Sequence, residues 1–289
     1  MNKLFDILHC HFGPNGLIGA YLKDIGVVKR LIVTFHGSDI TGYPFRHGKG
    51  VYKTLYEQAD AITVGTHFVE AKLIQNGCPP GKIRIIPAGI RMEEHNLLPL
   101  HTRDPYLVLS VGRLIEAKGF RYAIEAFQKV VQRIPQARYV IVGNGPERST
   151  LEELIQKLGI STSVELAGEK IDHEIHALYQ QASLFILPSI VTSKGIEEGQ
   201  GLVLQEAQAW GLPVIATRVG GIPEGILDGV TGYLVPPEDS SSLAEKIIYL
   251  LEHPDIRKQM GEAGESFVRE RFNVEIITQK LIQLYDSIL

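Results

Sequence analysis

Cysteine, tryptophan, long apolar runs and excess positive charge are all scarce in this chain. Two cysteines in 289 residues, Cys10 and Cys78, make neither a disulfide framework nor a zinc site, and a reducing cytosol fits this usage. His9, Cys10 and His11 look like a metal cluster. On a strand, however, alternation sends His9 and His11 to one face and Cys10 to the other, and two convergent ligands are too few for a closed zinc site. No apolar stretch is long enough to span a bilayer, and the opening Met-Asn-Lys-Leu-Phe-Asp has an acid where a signal peptide needs an apolar run. With 29 Lys and Arg against 33 Asp and Glu, and a pI near 6.2, there is no basic stripe and no recognition motif, so nucleic-acid binding finds no support.

The charge that is present is uneven. Residues 1–100 hold 11 basic and 8 acidic side chains, a balance of +3, and the remainder holds 18 and 25, a balance of −7. A mildly basic first part suits a position near anionic lipid or a phosphorylated acceptor, and it suits ordinary scatter on a solvated surface at least as well. Hydrophobic content of 44% with 21% charge is that of a soluble globular protein, long enough for one large or two ordinary domains.

Apolar runs of strand length alternate with helical patterns along the chain. Strands are predicted at 5–11, 31–35, 61–64 and 82–86. Helices are predicted after the turn at 12–16, over 51–59, and from the cap Thr66 to 75. Polar, aperiodic sequence over 88–104 reads as a linker. A second series then runs through strands at 106–111, 138–142, 163–167, 184–187, 213–217 and 233–235, with helices between them and three closing helices at 240–252, 254–271 and 274–288. Strands alternating with helices mean parallel sheets covered on both faces. The second series makes a complete doubly wound fold; the first, with about four strands, does not, and its strand at 5–11 would leave an open edge that invites pairing with another chain.

The second series is organised around residues 195–213. Two glutamates, Glu198 and Glu206, have seven residues between them. The first lies in a glycine-rich loop and the second in an apolar helix beginning at Leu202 and ending at Gly211, with Pro213 beyond. The N-terminus of that helix favours a phosphate, and carboxylates on either side of it suit the hydroxyls of a nucleotide sugar. A glycine-rich loop ahead of a solvated helix is an equally good local reading.

The stretch Glu198-Gly-Gln-Gly-Leu-Val-Leu-Gln-Glu206 resembles the E-x7-E signature of the retaining GT-B glycosyltransferases of family 4, the glycosyl transferases group 1 proteins. Gly112-Arg-Leu-Ile-Glu-Ala-Lys118-Gly is similar to the family's diphosphate clamp, and Thr34-Phe-His36-Gly-Ser-Asp39, Val219-Gly-Gly-Ile-Pro-Glu224 and 228–239 also fit. The resemblance covers nearly the whole chain. The insert at 188–198 and the segment His9 to Gly16 look most like the colanic-acid and exopolysaccharide branch.

That resemblance implies an α/β protein of two facing Rossmann-like domains. Residues 1–97 would be a partial, acceptor-side domain, whose first strands the chain lacks. Residues 98–272 would bind the donor, and a helix at 273–289 would cross back to the first domain. It implies retaining transfer of a sugar from a UDP-, GDP- or ADP-linked donor to a glycan or lipid-linked acceptor. The chain would be cytoplasmic, or peripheral at the inner face of the plasma membrane. His36 and Glu198 would orient the reacting sugar. Gly112, Arg113 and Lys118, with Gly199, Gln200, Gly201, Leu202 and Val203, would hold sugar and diphosphate, and Glu206 the ribose. His11 and Asp39 would stand on the acceptor side. Gln200 replaces an apolar residue usual in the family and so bears on donor choice; Glu197 reads as a solvated neighbour and Trp210 as core. Residues 143–146 read as a base-pocket wall or a plain turn. No Asp-x-Asp occurs, so no metal or other cofactor is expected. A nucleotide-sugar-binding remnant, or a subunit completed by a homodimer mate or partner chain at the open sheet edge, is the alternative.

Overall fold

The computed structural model describes residues 5–92 and 103–289. They group into two compact units. The first holds the described residues up to Arg91 with Val191–Gln200 and Phe272–Leu289; the second holds the rest up to Ile190 with Gly201–Arg271. Both are α/β, each built on a parallel sheet.

In the first unit the elements run β1 (Phe5–His11), α1 (Gly13–Asp24), β2 (Val28–Phe35), the short turns α2 (Ser38–Thr41) and α3 (Tyr43–His47), α4 (Lys53–Gln58), β3 (Ala61–Val64), α5 (His67–Gln75) and β4 (Ile83–Ile85). Sheet order is β1-β2-β3-β4. The two-residue alternation of β2 sorts its side chains. Leu31, Val33 and Phe35 enter the core formed with α1, α4 and α5, while Ile32 joins Ala61 and Leu284 under the terminal helix. Thr66 caps α5 by accepting from the Val69 N–H. The helical turns at 38–47 were not legible in the sequence.

The second unit runs β5 (Leu107–Val111), α6 (Phe120–Arg133), β6 (Arg138–Val142), α7 (Arg148–Lys157), β7 (Val164–Gly168), α8 (Asp172–Gln181), β8 (Leu184–Leu187), α9 (Leu202–Ala209), β9 (Val214–Thr217), β10 (Gly232–Val235), α10 (Ser240–Glu252) and α11 (Pro254–Arg271). Helix α12 (Val274–Ile288) belongs to the first unit. The sheet order β10-β9-β8-β5-β6-β7 is the doubly wound one, with its reversal of winding between β5 and β8. Helix α9 ends as its sequence indicates. Gly211 takes φ +69° and donates to Gln208, and Leu212 donates to Ala207, the double bond of a glycine-terminated helix.

The expected linker needs correction at both ends. Ile90 donates to Phe272 and accepts from Val274, and Ala88 exchanges two hydrogen bonds with the Gln200 side chain, so 88–90 is tied into the first unit. Asp104 is tied into the second by Gln181 and Arg138. The remainder, 93–102, lies outside the described residues.

Candidate functional site

In the second unit, predicted residues from two separate stretches converge at the winding reversal. Doubly wound sheets bind ligands outside the carboxyl ends of the strands at that point. Gly112 and Arg113 follow β5, and the segment leading into α9 follows its sheet neighbour β8. The loop after β5 is braced from the next strand, since Gly112 donates to Val142 and Leu114 to Asn144. Residues 143–146 therefore form the turn that supports the Arg113 loop. Lys118 ends a 3-10 turn, and Gly119 follows it at φ +63°. A Cβ on Gly119 would stand 2.1 Å from the Pro188 carbonyl oxygen, so only glycine lets the two loops meet. Gly201 caps α9 in a left-handed conformation, and Leu202 and Val203 open it; the first backbone N–H groups of a helix have no intrahelical acceptor. Glu206 lies one turn in, half-buried, and accepts from the Tyr179 hydroxyl at 3.1 Å. Burial raises its carboxyl above the ordinary value, and the Tyr179 bond and nearby His176 pull it back. Trp210 is buried in the core, as its position in the helix implies.

The first unit gathers the other candidates. His36 follows β2 and is exposed, while Asp39 behind it is buried. Asp39 accepts from the backbone N–H of Gly13 (2.9 Å) at one oxygen and from those of His36 (3.0 Å) and Gly37 (2.9 Å) at the other. Burial raises the Asp39 carboxyl, and those three donors lower it again. Asp39 thus braces the loop that carries His36. His11 lies exposed beside His36, with 3.0 Å between Nδ1 and Nε2.

Glu198, Gly199 and Gln200 belong to this unit as well. The loop is clasped in three places that no local pattern signals. Lys72 pairs with Glu197 at 2.7 Å, so Glu197 is a structural ion-pair partner and not a solvated neighbour. The Thr66 hydroxyl donates to the Gly199 carbonyl at 2.9 Å. The Gln200 amide exchanges two hydrogen bonds with Ala88, which makes it a clasp of this loop. Gly37 and Gly199 meet backbone to backbone: a Cβ on Gly37, at φ +120°, would stand 2.7 Å from the Gly199 Cα. Among the described residues no group of three or more metal-ligating side chains forms, and no helix is long and apolar enough to cross a membrane.

His9 couples this region to stability. Its ring bonds Tyr285 and Thr34 at 2.7 Å each, and burial, aided by His11 and His36, lowers it from 6.5 to about 4. An unfolded chain therefore takes up this proton first as pH falls below 6.5. The native state is penalised progressively down to about pH 4, and the full stability is present above 6.5. Discounted for partial solvent access, the loss should be about 1–2 kcal/mol. Urea unfolding from pH 7.5 to 4.5 should show it, and His9→Gln should remove that part; a slope unchanged in the variant would refute the assignment.

Two family descriptions match the chain: Glycosyl transferases group 1 over residues 98–267 and Glycosyltransferase Family 4 over 2–94. A protein of Escherichia coli (strain K12), provisionally assigned as the colanic acid biosynthesis glycosyltransferase WcaL, is 33% identical over 98% of this chain and 71% of its own length. Among solved structures, the sucrose-phosphate synthase of Thermosynechococcus elongatus superposes with a TM-score of 0.82 at 29% identity, covering 97% of this chain and 73% of that one. Anabaena Alr3699/HepE in complex with UDP and glucose superposes at 0.84 and 22% identity, covering 98% and 78%.

Proposed function

The chain belongs to the glycosyl transferases group 1 family, of GT-B fold, and from that premise we propose that it moves a sugar from a nucleoside-diphosphate sugar to a hydroxyl acceptor, with retention and without a metal, in cell-surface polysaccharide or glycolipid synthesis. The observation that carries the reading is the convergence of Arg113, Lys118, the start of α9 and Glu206 at the winding reversal of the second unit. A leaving diphosphate gathers negative charge, and two cations with a helix N-terminus supply fixed positive potential where that charge develops. Glu206 accepts from the ribose diol. His36 and Glu198 orient the sugar. The bond from the anomeric carbon to the diphosphate oxygen breaks, the acceptor oxygen bonds to that carbon on the same face, and the acceptor's proton passes to the departing phosphate. The colanic acid relative and the UDP complexes of structural neighbours support the choice of substrate class.

A thermal-shift screen of UDP, GDP and ADP and their sugars, run with and without a chelator, tests this. A ligand at 100 times its dissociation constant stabilises the native state by about 2.7 kcal/mol. One base should stand out, insensitive to chelator, and Glu206→Gln should weaken it by about 10- to 30-fold through loss of a charged acceptor. No shift across the panel would favour the second reading, a subunit completed by another chain. That reading is motivated by β1, which among the described residues pairs with β2 alone and carries Phe5 at 60% exposure.

A further inference from the structure

Three imidazoles stand in a row in the first unit. The His9 and His11 rings are 5.0 Å apart and the His11 and His36 rings 5.2 Å, both pairs nearly parallel. Phe12 closes the row 4.4 Å from His36, and it does so from a backbone φ of +70°, which side chains of its kind rarely adopt. At the inner end both nitrogens of His9 are engaged, by Tyr285 and by Thr34, whose hydroxyl also meets Thr63. At the outer end His11 and His36 are both exposed and joined Nδ1 to Nε2 at 3.0 Å.

A bond between two imidazole nitrogens holds one proton: one ring donates N–H and the other accepts with a lone pair. It cannot form when both facing nitrogens are protonated. It also restrains the His36 ring and engages its Nε2, so that Nδ1 is the nitrogen not taken by His11. We propose that His11 is a positioning residue for His36, holding it through this shared proton so that Nδ1 of His36 is the nitrogen presented to the sugar donor. The inference rests on the transferase reading above. The groups facing the pair are Asp39 from the loop of His36 itself, His9 from β1, and Tyr285 from α12 behind His9. Partial burial lowers His36, Asp39 opposes that, and His11 adds to it. His11 therefore helps to keep His36 neutral as well as oriented.

His11→Phe keeps a ring in the stack and removes the nitrogen. His11→Asn places an amide near the position of Nδ1. The Phe variant should lose about tenfold or more in kcat, with the donor KM little changed, and the acid limb of its pH profile should move to higher pH. The Asn variant should recover most of kcat while its acid limb stays displaced. Ring-nitrogen NMR without any donor supplies the second readout: His36 should titrate at higher pH in His11→Phe than in the natural protein. Equal kcat losses in both variants with an unmoved acid limb would reduce His11 to packing and overturn the proposal. If no turnover is found in any form, identical His36 titration in the natural protein and His11→Phe overturns it alone, leaving the donor-binding reading to the thermal-shift screen.

Discussion

Lys118→Met should lower kcat/KM by two to three orders of magnitude, about 3–4 kcal/mol of transition-state stabilisation. Methionine keeps the apolar stem of the side chain and removes the ammonium group with its charge and N–H donors. The lysine stem passes beside Gly112, where an added Cβ would stand 3.6 Å from Cε, and the turn that carries Lys118 is pinned by Gly119 against Pro188. An ammonium carried on a pinned turn would need little reorganisation as charge builds on the leaving diphosphate of the proposed reaction, which is why its loss should fall mainly on kcat. Arg113→Lys should be milder, about tenfold, because a lysine retains the charge but not the two-pronged grip on phosphate. The double variant should lose less than the product of the two, since both would serve one anion in the proposed reaction. The urea midpoints should stay within about 0.5 kcal/mol of the natural protein, as both changes lie in a solvent-facing loop. Turnover within threefold of normal for Lys118→Met would remove the electrostatic role from this loop.

The parts of this site that were legible in the sequence are those written in local patterns. Alternating strands and helices gave the sheet of the second unit, and its winding reversal put Arg113 and the start of α9 at neighbouring strand ends. Thr66 and Gly211 marked helix ends through backbone chemistry confined to a few residues. The contacts that no local pattern signals join partners far along the chain. Glu197 and Gln200 carry no local sign of Lys72 and Ala88, each more than a hundred residues away. Asp39 looks like a surface loop acid until Gly13, 26 residues upstream, is seen to donate to it. The division of the E-x7-E stretch, with Glu198 in one unit and Glu206 in the other, is likewise invisible in a motif whose spacing is uninterrupted. Phe12, whose positive φ turns its ring onto His36, has the sequence of an ordinary turn.

Gly199→Ala should reduce kcat by about a hundredfold while leaving nucleoside-diphosphate affinity within about threefold. A Cβ at this position would stand 2.1 Å from the carbonyl oxygen of His36 and 3.0 Å from the Gly37 Cα. Both neighbours are backbone, so no rotamer change relieves the clash, and the two segments must separate. The loop is not free to yield, because Thr66 holds the Gly199 carbonyl, Lys72 holds Glu197 and Gln200 is bonded to Ala88. The His36 segment is held from behind by Asp39. Strain shared between two such clasps should cost about 1–3 kcal/mol in urea unfolding. What remains displaced will be the relation of Glu198 to His36, and misplacement of reacting groups by about 1 Å is enough for a hundredfold loss. Nucleotide binding should survive because Arg113, Lys118 and Glu206 belong to the second unit, whereas the two segments this methyl group forces apart belong to the first. Measured together, kcat at saturating donor and the thermal shift with nucleoside diphosphate separate the two roles. If both fall in parallel, the first unit contributes to holding the nucleotide, and the division of labour argued from Glu198 and Glu206 is wrong.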